Sequence, residues 1–420
     1  MWEKEGTKLW LKILLAVIII ALLAGLYVGY RFVSEKEAAQ DAALLEVYEQ
    51  HQQEQVEAKQ ANYDDVAALY QADLDAIAQY LPGIVCWGDA LTAGSAGGVS
   101  YPGVLKELID ASIVDRYDFR GTLEDSSGLS KIKWEDYTID IPVVNMGSGR
   151  ENSASVLGRN GAVPYAVKKD FVIPAGCESV SLSLISSSGE KVTPLTQGDV
   201  GVNPVHIAGI EGTLSLDLEK YSRGYYEYSF TRSAPGAEVP VSAGTEIITA
   251  GSELYRDYVP VIFLGTFDSA YGSVDSLISA QKAIIDHQIA NKDRYVILGP
   301  FYFAEMWETG MSVYLEQFEN AMLQEYGNHF INVRKYLMSD GLSDAKLNPT
   351  AQDTKDIKNG LVPSSLRSSA EASELNATGY TLLGRLVYNR MDKLGYFDEV
   401  KDELGITALE KLDRQEELKK

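Results

Sequence analysis

The hydropathy pattern changes character three times along the chain. Residues 13–30, ILLAVIIIALLAGLYVGY, carry no charge and no proline over 18 positions. With Leu9, Trp10 and Leu11 they reach the roughly 20 apolar residues that a bilayer-spanning helix needs. Lys4, Lys8 and Lys12 precede the run, and Arg31 and Lys36 follow it. That bias predicts a cytoplasmic N-terminus and a body outside the cell. No lipobox cysteine or small-x-small cleavage site follows, so the segment reads as an uncleaved signal anchor in the cell membrane. Residues 34–80 contain neither glycine nor proline and are rich in Ala, Glu, Gln and Asp. They predict a solvated helical stalk. Its last part gains an apolar face through Val66, Leu69, Leu74, Ile77 and Leu81, and Pro82-Gly83 stops it.

From there, short apolar runs alternate with amphipathic ones. GIVCWGD, IPVVNMG (141–147), VPVIFLG (259–265), RYVILG (294–299) and a part of HFINVRKYL (329–337) read as strands. YPGVLKELIDASI, VDSLISAQKAIIDHQIA, SVYLEQFENAMLQEY and TGYTLLGRLVYNRMDKLGYF read as helices. Such alternation predicts an α/β fold, a doubly wound parallel five-stranded sheet covered on both faces. Residues 160–256 break the rhythm. FVIPAGCESVSLSLI, VHIAGIEGTLSLDL, RGYYEYSFTR and TEIITAG show two-residue alternation with Gly and Pro punctuation, which predicts an all-β insert. In RGYYEYSF, Tyr226, Tyr228 and Phe230 share one strand face. They form either sheet core or an aromatic platform for sugar rings. The expected organisation is a membrane anchor (1–33), a stalk (34–80), an α/β domain in two parts (81–158 and 258–397), the β insert (159–257) and a charged C-terminal helix or tail (398–420).

Charge and cysteine content narrow the function classes. The formal net charge of −23 argues against nucleic acid as a partner. Two cysteines, Cys86 and Cys177, are too few for a disulfide scaffold and have no zinc spacing, so no metal site is expected. Cys86 reads as a buried thiol, with a Cys86–Cys177 disulfide as the alternative. GSAGG lacks the lysine and spacing of a phosphate loop, and no cofactor is implied. Asn376-Ala377-Thr378 matches a glycosylation sequon.

In an open α/β sheet, ligands bind beyond the carboxyl ends of the strands. Four segments occupy those places or the approach to the last helix: GDALTAG, NMGSGRENS, GTFD and EASELNATGY. Together, and in that order, they resemble the conserved blocks of the SGNH, or GDSL-type, hydrolase family of esterases and lipases. The resemblance covers residues 83–156 and 258–396 and implies a flavodoxin-like SGNH hydrolase fold. It also implies acyl transfer by a serine, a histidine base and an orienting aspartate, with an oxyanion hole of backbone N–H groups and an asparagine. Here Ala90 holds the serine position, Arg150 the oxyanion glycine, Phe267 the asparagine, Glu371 the aspartate and Glu374 the histidine. No catalytic residue is intact.

The expected protein is therefore a pseudoenzyme, whose former cleft, lined by Asp89, Ala90, Arg150, Phe267 and Glu374, holds a glycan or an envelope protein. A divergent esterase or deacetylase acting on carbohydrate or lipid acyl esters is the alternative. A cluster of Asp89, Glu371 and Glu374 serving glycoside hydrolysis or calcium binding is a further one. The geometry expected at the old centre is an ion pair between Arg150 and a carboxylate, Glu374 first, with Phe267 as a plug.

Overall fold

The computed structural model describes residues 3–95, 97–119, 136–149, 151–268, 273–289, 292–301, 311–369 and 374–406. The chain divides into two compact units, Met1–Gln71 with Leu123–Ile132, and Ala72–Thr122 with Lys133–Lys420. Helix α1 runs from Glu3 to Tyr80 without a break, as the absence of proline allows. Its stretch Leu11–Lys36 is long and apolar enough to cross a membrane, with mean hydropathy 2.7 and no buried residue in that window.

The second unit is built around a parallel sheet. Strand β1 (Ile84–Gly88) lies between β2 (Val143–Gly147) and β12 (Val259–Phe263). Strands β13 (Val296–Leu298) and β14 (Phe330–Ile331) extend the sheet beyond β12. In order of appearance the five run 2-1-3-4-5, so the strand order reverses at β1. All five residues of β1 are buried, which explains its uninterrupted apolar run. Val85, Trp87, Ile262 and Ile297 share one core with α4 (Ser153–Asn160), α7 (Val274–His287) and α8 (Met311–Tyr326). Helix α3 (Tyr101–Ser112) packs on α12 (Ala377–Lys393), and its Tyr101 meets Phe263 edge-on at 6.2 Å. The fifth strand is only two residues long. Asn332 accepts the Lys335 N–H and caps α9 (Val333–Ser339), so the rest of the run is helical. Short helices α10 (Gly341–Asp344), α11 (Ala351–Lys358) and α13 (Asp398–Glu403) complete this part.

Strands from residues 165–249 form antiparallel sheets of their own. The larger contains β3 (Tyr165–Val167), β5 (Val180–Leu182), β6 (Leu184–Ser186), β7 (Val205–Ile207), β8 (Ile210–Leu216), β9 (Tyr228–Arg232) and β11 (Glu246–Thr249). Its order is β5-β9-β8-β7-β11-β3-β6, and only Ser183 separates the two edge strands in the chain, so the sheet is nearly a closed barrel. A separate pair joins β4 (Phe171–Ile173) and β10 (Val239–Val241). Two short helices, α5 (Leu218–Ser222) and α6 (Ala250–Leu254), interrupt the strand pattern. Tyr228 and Phe230 belong to the sheet core. Tyr226 is half-buried beneath Lys191, whose Nζ is 4.3 Å from the ring centre, and Tyr225 is exposed. The aromatic run is thus mainly core rather than a platform. Cys86 is buried, Cys177 is exposed, and both are free thiols.

The join between β2 and the first turn tolerates no side chain. Helix α2 (Ala90–Ala93) passes so close to Gly147 that a Cβ there would strike the backbone of Thr92 and Ala93. We expect Gly147→Ala to destabilise the protein by about 1–3 kcal/mol, the usual cost of overpacking, read from the urea unfolding midpoint.

Candidate functional site

Asp89 follows β1 and caps α2, accepting the Leu91 N–H at 2.9 Å. Ala90 is the first residue of that helix and is half-buried. The turn carries only a methyl group at its apex. Behind it, Thr92 Oγ1 and the Tyr101 hydroxyl lie 3.3 Å apart. Asp89 is only 2% exposed. Burial pushes its carboxyl up to about 7, with the charge of Asp268 adding to the shift and the Leu91 N–H opposing it.

Strand β2 ends in the same region. Glu151 and Arg159, at opposite ends of the segment that forms α4, make a fully buried ion pair, with Nε to Oε2 at 2.7 Å. Nη1 of Arg159 donates to the carbonyls of Met146 (3.0 Å) and Val200 (3.1 Å), and Nη2 donates to that of Gly88 (3.3 Å). Burial raises the Glu151 carboxyl from its ordinary value, and the Arg159 charge pulls it back.

After β12, Gly265 takes φ +105°, a conformation that favours glycine, and turns the chain. Phe267 is half-buried beyond it. Asp268 accepts both the backbone N–H of Ser153 (2.7 Å) and its hydroxyl (2.6 Å), so it fixes the start of α4. Ahead of α12, Asn376 accepts the Gly379 N–H and donates to the carbonyls of Ser365 (2.9 Å) and Arg367 (3.2 Å). The sequon's amide is therefore engaged as a helix cap. Arg367 is in turn paired with buried Asp356 at 2.9 Å. Tyr380 is buried. Burial raises its hydroxyl above the ordinary range, and the nearby charges of Glu374 and Asp89 add to the effect.

The charge of Asp268 acts on Asp89, and those of Asp89 and Glu374 act on Tyr380, so side chains of three separate segments influence one another near Ala90. Arg150 and Glu371 lie outside the described residues, and so does the expected Arg150–carboxylate pair. The buried arginine of this region is Arg159, paired with Glu151. Sequence reading passed over both, although SASVLGRN offers a signal: a lone arginine among small and apolar residues needs an anion when that helix is buried.

All four histidines of the sequence are described. His51 is on α1, in the first unit. In the second unit, His206 faces Glu211 in the β7–β8 hairpin. His287, the last residue of α7, contacts the Ser252 carbonyl. His329 stacks on Tyr295 at 4.3 Å at the amino ends of β13 and β14. None belongs to the carboxyl end of the parallel sheet. Comparison with known proteins finds no matching family model, no similar curated protein and no similar solved structure.

The buried carboxyl gives a pH signature. A carboxyl raised in the folded state favours folding while it holds its proton. That contribution is complete below the unfolded value near 4 and is lost as pH rises towards 7. At about 1.4 kcal/mol per pH unit it reaches roughly 4 kcal/mol. Asn in place of Asp89 keeps an acceptor for Leu91. Hence Asp89→Asn should flatten stability between pH 5 and pH 8 and gain on the wild type at the alkaline end, measured by urea unfolding at each pH.

Proposed function

We propose that this chain is an SGNH/GDSL-hydrolase-like protein that binds rather than hydrolyses. It is tethered in the cell membrane through α1 and faces the exterior. The supporting observation is the turn at Ala90. Its cap, buried acid and packing are all present, while no hydroxyl stands at its apex and the histidines of that unit lie elsewhere. Strand order 2-1-3-4-5, with the four family-like segments at strand ends or before α12, supports the fold assignment. An acidic chain with an apolar spanning-length helix supports an envelope location, and a glycan or envelope protein is the expected ligand.

One observation favours a divergent esterase or deacetylase instead. A carboxyl titrating near 7 suits a general base at neutral pH. Hydrolysis of p-nitrophenyl acetate at pH 6–8 decides between them. We expect no turnover above the blank, in the wild type or in Ala90→Ser, because adding the hydroxyl supplies neither a histidine base nor an oxyanion donor at Phe267. Turnover lost in Asp89→Asn establishes the enzymatic reading.

The tether is tested separately. The full chain should sediment with membranes and require detergent for release, whereas a chain starting at residue 37 should remain soluble. Protease added to intact cells should cleave the body of the full chain.

A further inference from the structure

The second unit holds an open cavity of about 410 Å³, walled in part by Asp268, whose charge acts on Asp89. It opens where the segments after β2 and β12 meet the near-barrel sheet, and it lies within the roughly 300–1,000 Å³ usual for small-molecule pockets. Its floor is apolar: Leu157, Leu277, Ala280 and Phe318, each buried. Its mouth is polar and anionic, with Asp268 and Glu190 flanked by Ser188, Ser273 and Ser276. No Lys, Arg or His lines it, and among the described residues neither carboxylate has a cationic partner.

Asp268 is not a mobile surface acid. Ser153 donates to both of its oxygens, and those bonds fix it in the wall. A ligand that matches this lining buries an apolar body against the floor and leaves a positive charge at the mouth. An anion would meet two carboxylates and a strongly acidic chain. An uncharged ligand would gain the floor but leave both carboxylates uncompensated.

We propose that this cavity is a binding site for a small primary amine with an apolar body, its ammonium group held by Asp268 with Glu190 beside it. The proposal stands whether or not the neighbouring turn is catalytically dead, since it uses neither Ala90 nor Glu374.

The probes are n-hexylamine, 1-hexanol and hexanoate, which share a chain and differ in the charge of the end group. Titration calorimetry at pH 7 uses the full-length protein in detergent, with detergent alone subtracted. Hexylamine should bind about tenfold more tightly than hexanol, equivalent to about 1.4 kcal/mol, and hexanoate should not bind. Ala280→Phe, which fills the floor, should abolish binding of both the amine and the alcohol. Glu190→Gln changes an exposed side chain, and Asp268→Asn keeps an acceptor for Ser153. Each should weaken the amine several-fold and leave the alcohol unchanged. The proposal is overturned if the amine does not bind or binds no better than the alcohol. It is equally overturned if folded Ala280→Phe binds like the wild type, or if neither carboxylate variant changes the preference.

Discussion

The guanidinium of Arg159 donates to the last carbonyl of β1, to a carbonyl near the end of β2 and to the segment entering β7, while its Nε is paired with Glu151. Removing such a cation from water costs several kcal/mol, and the cost is met only because four acceptors surround it. Loss of either partner would leave a buried charge without its counterpart. The pair therefore fixes the ends of two adjacent strands and binds the parallel sheet to the near-barrel sheet. It does so from beneath the turn at Ala90, with the Trp87 ring centre 5.7 Å away. The turn's shape does not depend on the side chain at its apex.

The acid beside that apex follows from the same packing. Asp89 is a helix cap, and capping alone asks only for an oxygen at the right place. Its burial, within the field of Asp268, then raises its titration to about 7. The raised value is a product of burial around a structural residue.

The parallel strands were legible as short, mostly apolar runs, fully buried in β1, β12 and β13 and half-buried at the start of β2, and the helices because their apolar spacing is regular. The fifth strand was expected only within residues 329–337, and it ends at Ile331 because Asn332, a capping residue, redirects the same apolar pattern into a helix. The antiparallel strands showed their alternation, but nothing local encodes the near closure of the sheet, which depends on pairing between distant segments. At the candidate site, Asp89 and Glu374 came from motif position. Glu151 and Arg159 did not, since an ion pair eight residues apart looks like any pair of surface charges until both prove buried. The cavity beneath Asp268 was equally invisible, because its floor is contributed by α4, α7 and α8 together.

The near closure of the seven-stranded sheet has a bearing on crowding. An open sheet presents unpaired N–H and C=O groups along its edge, a template for another copy of the chain. Here the two edge strands, β5 and β6, are consecutive in the chain with Ser183 between them, so each edge is turned towards the other. Molecules confined to a plane meet far more often than molecules in solution. The largest sheet therefore leaves little open edge on which a second copy of the chain could add a strand.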